Sequence, residues 1–311
     1  MRTLHPNLVP WFTEFNATAA KLLAEGLKQT PVNVRESFAA MIRNHVTAVP
    51  PVAWIQDDYV ATPDYDVPVR IYHPDPNRAL PILIYYHGGG HVSGCVSVYD
   101  PICRKIALAA EHIVVAPEYR LAPECRYDDG VTDACNVAKY LWRTLDDRRL
   151  RYRRALALAG DSAGGSLAAI VSSRSQFDAS LDIRRQVLIY PWLDYTMSTP
   201  SIEQNGVGYT LPKTKATWFC DTIFPRGEDR KAYSPLFWEI TPRLPETFII
   251  TAEFCPLRDE GKMYADKALA AGARAEYLNF VDMPHTFICL EDLVPEASSK
   301  LYASLGAFLQ S

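Results

Sequence analysis

The run Ala155-Leu156-Ala157-Leu158-Ala159 leads without a break into Gly160-Asp161-Ser162-Ala163-Gly164-Gly165-Ser166. A short apolar run of this kind reads as a buried strand. The small residues around Ser162 leave room for a sharp, strained turn directly into a helix. Such a junction is a strand-to-helix turn that exposes the serine hydroxyl. It leaves the Ser162 hydroxyl at the sheet edge, where the positive end of the helix dipole favours developing negative charge.

The rest of the chain agrees with that frame. Strands are predicted at 57–61, 67–73, 81–86, 113–119, 155–159, 186–191, 247–252 and 275–281. Helices are predicted near 99–111, 130–145, 163–176, 258–271 and 295–309. Alternation of this type implies an eight-stranded, mostly parallel α/β sheet with helices on both faces, and a functional edge at the strands' C-terminal ends. Residues 1–50 carry apolar side chains at helical spacing (Phe12, Phe15, Ala19, Leu22; Val34, Phe38, Met41, Ile42). Residues 196–235 interrupt the rhythm with a helical stretch around Thr214–Phe224. These two segments are expected to form a helical cap over the edge of one domain spanning 1–311.

A net charge of −4 over 311 residues gives no reason to expect nucleic acid or an acidic membrane as a partner. The one basic cluster, Arg148 to Arg154, lies beside Asp146 and Asp147 and is expected to be a solvated loop. Seven cysteines (95, 103, 125, 135, 220, 255 and 289) lack metal or paired spacing. With no secretory signal or membrane-length apolar run, reduced thiols in a cytoplasmic protein are the simplest expectation. Oligomeric state stays open, a homodimer included.

Two further features complete a chemistry. His87-Gly88-Gly89-Gly90 directly follows the 81–86 strand, and backbone N–H groups of Gly88 and Gly89, together with Ala163, are expected to hold an oxyanion. His285 follows the last strand, after the serine in chain order, and is the candidate base. His91, next to the glycines, is expected to line the pocket. Tyr209, Trp218 and Phe219 fit either an apolar pocket wall or packing within the cap.

Taken together, His87–Gly90 with Gly94 and Asp100, Glu118-Tyr119-Arg120-Leu121-Ala122-Pro123-Glu124, Gly160–Gly165, Tyr190-Pro191-Trp192-Leu193-Asp194 and Asn205–Tyr209 resemble the hormone-sensitive-lipase-like branch of the α/β-hydrolase fold. The resemblance covers nearly everything beyond residue 50. It implies a bacterial-type serine carboxylesterase of short-chain acyl esters that works through an acyl-enzyme on Ser162 and needs no metal or cofactor. In that branch the triad acid sits in an Asp-Pro-Leu-Arg-Asp-Glu motif, whereas this chain has Cys255-Pro256-Leu257-Arg258-Asp259-Glu260. Thr286 also stands where the family usually has glycine, and Tyr127-Asp128 where it has Phe-Pro.

The triad acid orients the histidine, selects its tautomer and stabilises the imidazolium. A neutral thiol supplies no charge and only a weak hydrogen bond. Four consequences follow from the sequence. Another carboxylate takes over, with Asp194 the main surrogate and Asp259 and Glu253 nearer in sequence. The enzyme is slow. Cys255 ionises or is oxidised to a sulfinate. Or the chain has left catalysis and binds a small ligand.

Overall fold

The computed structural model describes residues 2–311. Eight strands form one sheet: β1 (Trp54–Val60), β2 (Val67–His73), β3 (Leu80–Tyr86), β4 (Ile113–Pro117), β5 (Tyr152–Asp161), β6 (Ile183–Ile189), β7 (Glu246–Phe254) and β8 (Ala275–Pro284), in the order β1-β2-β4-β3-β5-β6-β7-β8. β2 pairs antiparallel with both β1 and β4, and every other pairing is parallel. β3 and β4 are buried at every position, as strands covered on both faces must be.

Among the described residues nine α-helices accompany the sheet: α1 (Leu8–Ala24), α2 (Pro31–His45), α3 (Val96–Ala110), α4 (Tyr127–Asp147), α5 (Ala163–Ser175), α6 (Pro200–Gln204), α7 (Lys213–Ile223), α8 (Arg258–Ala270) and α9 (Pro295–Gln310). Local chemistry sets several of their ends. α2 starts at Thr30, whose hydroxyl accepts from the Asn33 N–H while the Asn33 side chain accepts from the Thr30 N–H, with Pro31 at the first helical position. α5 starts one residue after the sheet's central strand ends. A Cβ on Gly160 would collide with the Gly164 backbone, and one on Gly164 with the carbonyl of Tyr86. The strand-to-helix turn therefore closes only with glycine at both places.

Register brings the functional loops together. Gly160 lies level with Tyr86 on one side and Leu188 on the other, so the glycine loop after β3 and Ser162 after β5 emerge side by side. Phe254 pairs with Pro284, which sets Cys255 and His285 next to one another at the ends of β7 and β8. The expected basic loop is only partly a loop, because β5 already begins at Tyr152 and so includes Arg153 and Arg154. Arg148 pairs with Asp58, and the Arg154 guanidinium lies 4.8 Å from the centre of the Trp142 ring.

Candidate active site

Ser162 has φ 54° and ψ −118°, a left-handed conformation that only the surrounding packing holds. Its Oγ lies 3.0 Å from His285 Nε2. On the far side of the ring, His285 Nδ1 lies 3.1 Å from Cys255 Sγ, and the Leu257 N–H donates to the same sulfur at 3.3 Å. All three side chains are buried, at 5 %, 2 % and 0 % exposure for Ser162, His285 and Cys255. Cys255 Sγ thus meets the ring nitrogen of His285 remote from Ser162, and the Leu257 N–H is its one directed donor among the described residues.

The electrostatics of this arrangement follow from burial. Desolvation pushes the Cys255 thiol well above its usual range, so the sulfur carries its proton. Burial, reinforced by the Lys215 ammonium, pulls the His285 imidazole down to about 3. His285 is therefore a neutral ring facing a neutral thiol. Sγ can accept the Nδ1–H, which leaves Nε2 free to receive the serine proton. It can equally donate S–H to Nδ1, which puts the ring proton on Nε2 and blocks it as a base. A carboxylate permits only the first arrangement.

None of the proposed substitute carboxylates reaches His285. Asp194 was expected as the surrogate acid, but its two oxygens accept from the N–H and hydroxyl groups of Thr196 and Ser198. The tight turn after β6 consumes it. Glu253 pairs with Arg2 and Arg258 and accepts from Asn279. Asp259, in the first turn of α8, pairs with Arg258 and accepts from the Ser201 N–H. Glu260 escaped the sequence reading. It is buried at 0 % exposure, and one oxygen accepts the N–H groups of Leu193 and Asp194. Burial raises its carboxyl well above the ordinary range.

The glycine loop requires a second correction. The Gly88 N–H was expected to point at an oxyanion, but it donates to Asp161 Oδ1 at 2.9 Å. Asp161 also accepts from the hydroxyls of Tyr85 at 2.9 Å and Tyr99 at 3.0 Å, so three buried donors fix it. Burial still raises the Asp161 carboxyl to about 6, although the three donors oppose the shift. Gly89 and Gly90, in contrast, line the cavity with Ser162 and His285. Their N–H groups have no protein acceptor among the described residues. Ala163, as the first residue of α5, has no intrahelical acceptor. Among the described residues Gly89, Gly90 and Ala163 thus keep N–H groups without a protein acceptor next to Ser162, whereas the Gly88 N–H of the sequence expectation is taken. Asp161, the variable position of the G-x-S-x-G pattern, orients this loop, and nothing in the motif itself announces that role.

The cavity above Ser162 has a volume of about 120 Å³. Its walls come from α1 (Phe15), α2 (Ser37, Phe38, Met41), Trp192, and the segment carrying α7 (Thr210, Leu211, Lys215, Phe219). Of the three aromatic candidates Phe219 lines it, whereas Tyr209 packs on Phe12 and Phe254. His91 is not a lining residue. Its Nε2 lies 2.8 Å from the Tyr195 hydroxyl, in a buried cluster with Tyr127. Thr286 does reach the cavity and sits at φ 63°, an unusual conformation for a β-branched residue, with its hydroxyl bonded to the His285 carbonyl.

An eight-stranded sheet with this strand order, a serine on a strained strand-to-helix turn and a histidine after the last strand define a hydrolase of the α/β class. The family model for the alpha/beta hydrolase fold matches residues 83–289, and the chain belongs to that family, in its hormone-sensitive-lipase-like branch. The chain is 34 % identical over 249 residues to carboxylesterase NlhH of Mycobacterium tuberculosis, covering 78 % of this chain and 77 % of that protein. It is 32 % identical over 263 residues to the ethyl acetate hydrolase of Pseudomonas putida, covering 82 % of each. An esterase structure from Pyrobaculum calidifontis superposes with a TM-score of 0.86 at 30 % identity, over 98 % of this chain and 99 % of that one. Among the described residues no helix is long and apolar enough to cross a membrane.

Proposed function

We propose that this chain is a serine carboxylesterase of short-chain acyl esters in which Ser162 is the nucleophile, His285 the general base, and Gly89, Gly90 and Ala163 the oxyanion donors. The observation that carries the reading is the 3.0 Å contact from Ser162 Oγ to His285 Nε2, at the floor of a cavity lined by Gly89 and Gly90. The carboxylesterase and esterase relatives support the same class.

In this mechanism Ser162 Oγ attacks the ester carbonyl as its proton passes to His285 Nε2. The carbonyl oxygen becomes an oxyanion held by the three N–H groups, each worth about 3 kcal/mol of transition-state stabilisation. The C–O bond to the alcohol then breaks, and His285 returns its proton to the departing oxygen. Water repeats the sequence on the acyl-enzyme, and Ser162 leaves as the hydroxyl it began as. Cys255 positions the imidazole through Nδ1 without supplying charge, so the rate is below that of a carboxylate triad. The alternative of a ligand-binding protein is not favoured, because the geometry retains nucleophile, base and free donors together.

Residues 1–50 and 196–235 act as the cap in this reading, supported by their side chains on the cavity wall. Seven unpaired cysteines favour a reducing, cytoplasmic setting. Hydrolysis of p-nitrophenyl acetate and butyrate tests the function. Turnover by the native chain that vanishes in Ser162→Ala is the expected result, and equal rates for the two proteins would refute it.

A further inference from the structure

Among the described residues the cavity wall carries one charged side chain that the mechanism above does not use. Lys215, on the first turn of α7, lines the same space as Ser162 and His285. Among the described residues its ammonium has no carboxylate within ion-pair distance and no hydrogen-bond acceptor. Its Nζ lies 6.0 Å from the centre of the Phe219 ring. Among the described residues no aspartate or glutamate contributes to the cavity wall.

Lys215 is half-buried at the cavity wall without a counter-charge, and burial lowers its ammonium to about 8. The neighbouring lysine of the same helix turn, Lys213, shows the ordinary solution, reaching out to Glu203. Lys215 instead keeps its charge inside the pocket beside His285, where it opposes the imidazolium that catalysis must form. With Cys255 in place of a carboxylate, the site carries one fixed positive charge and lacks the fixed negative charge that an acid residue would bring.

We infer that Lys215 is a specificity-determining residue that binds a carboxylate on the substrate, so that the preferred substrates are small anionic esters. The inference rests on the esterase reading and adds the substrate class. A carboxylate paired with Lys215 satisfies the orphan ammonium. It also returns a negative charge to the cavity while the imidazolium forms, so the preference extends to kcat as well as KM. The carboxylate can belong to the acyl half or to the alcohol half of the ester, and the chemistry at Lys215 is the same.

The test compares isosteric pairs on the full chain. Methyl hydrogen succinate against methyl succinamate places the carboxylate or its carboxamide twin on the acyl side. Acetoxyacetate against acetoxyacetamide places it on the alcohol side. The expected result is a kcat/KM for one anion about 10- to 100-fold above its carboxamide twin, in the range of a charge-assisted hydrogen bond. That ratio should collapse towards one in Lys215→Met and persist in Lys215→Arg. The pair that shows the preference identifies the side. A ratio near one for both pairs in the native chain, or one that survives Lys215→Met, overturns the inference.

Calorimetry of the two anionic esters with Ser162→Ala, and with the same protein also carrying Lys215→Met, separates this inference from the esterase reading. Lysine-dependent binding without turnover in the native chain would leave the anion site standing while the esterase reading fell. Serine-dependent turnover of neutral esters with no lysine-dependent anion binding would remove the anion site alone.

Discussion

Replacing Cys255 by aspartate is the perturbation whose size the structure sets most directly. The sulfur lies 3.1 Å from His285 Nδ1 and receives the Leu257 N–H, so a carboxylate at this position meets two donors already in place. At 3.1 Å and an effective dielectric of about 20, a carboxylate and an imidazolium attract by about 5 kcal/mol. The value agrees with the roughly 10⁴-fold loss, about 5.5 kcal/mol, that follows when a triad acid becomes neutral in a well-studied protease. Burying the new carboxylate consumes part of the gain, since the site is fully enclosed and Glu260 and Asp259 also act on it electrostatically. A rise in kcat of about 10²- to 10⁴-fold is therefore expected. The assay is initial-rate hydrolysis of p-nitrophenyl acetate by the native chain, Cys255→Asp, and Cys255→Asp combined with Ser162→Ala, with circular dichroism confirming that each is folded. A gain below tenfold in a folded, serine-dependent variant would refute the claim that the thiol limits the triad.

The pH profile supplies a second check. His285 is held near 3, so its neutral, proton-accepting form persists as pH falls and the acid limb of kcat/KM lies well below the ordinary histidine value of about 6.5. In Cys255→Asp the new negative charge favours the imidazolium, and that limb should move to higher pH. Asp194→Asn should leave the position of the acid limb unchanged, because its oxygens serve Thr196 and Ser198 and not the imidazole; a shift as large as that of Cys255→Asp would contradict this. Asp161→Ala strands two tyrosine hydroxyls and the Gly88 N–H in the interior. Its expected effect in urea denaturation is a loss of about 3 kcal/mol or more, with weakened transition-state binding as the glycine loop loosens. Gly90→Ala should cost at least tenfold in kcat/KM, since its φ of 65° and the Phe219 ring leave no room for a Cβ beside the proposed oxyanion site. Wild-type kinetics in Gly90→Ala would argue against that placement.

Much of this site was legible in the chain because each piece has a local cause. The strand before Ser162, the small residues around it and the start of the helix after it lie within about a dozen residues, and short apolar runs alternating with helical stretches mark all eight strands. His285 and Cys255 are 30 positions apart, yet both follow strands that the sequence marks, so their meeting is a matter of sheet order. What escaped depends on contacts between distant segments. Gly88 is expected among the oxyanion donors from sequence, but Asp161, 73 residues away, captures its N–H. Asp194 resembled a spare acid until the turn after β6 closed around it. Lys215 was one of two lysines in Lys213-Thr214-Lys215, and only the fold shows which of them points inward. Side-chain destinations of this kind are set by tertiary packing, which local pattern does not encode.

The proposed mechanism passes through an acyl-enzyme on Ser162. Rapid-quench mass spectrometry of the native chain mixed with p-nitrophenyl butyrate measures it directly. The expected result is one butyryl group on the peptide containing Ser162, appearing with the first equivalent of p-nitrophenol and disappearing as substrate is exhausted. Release of p-nitrophenol above background with the acyl group on another residue, or with none, would contradict it.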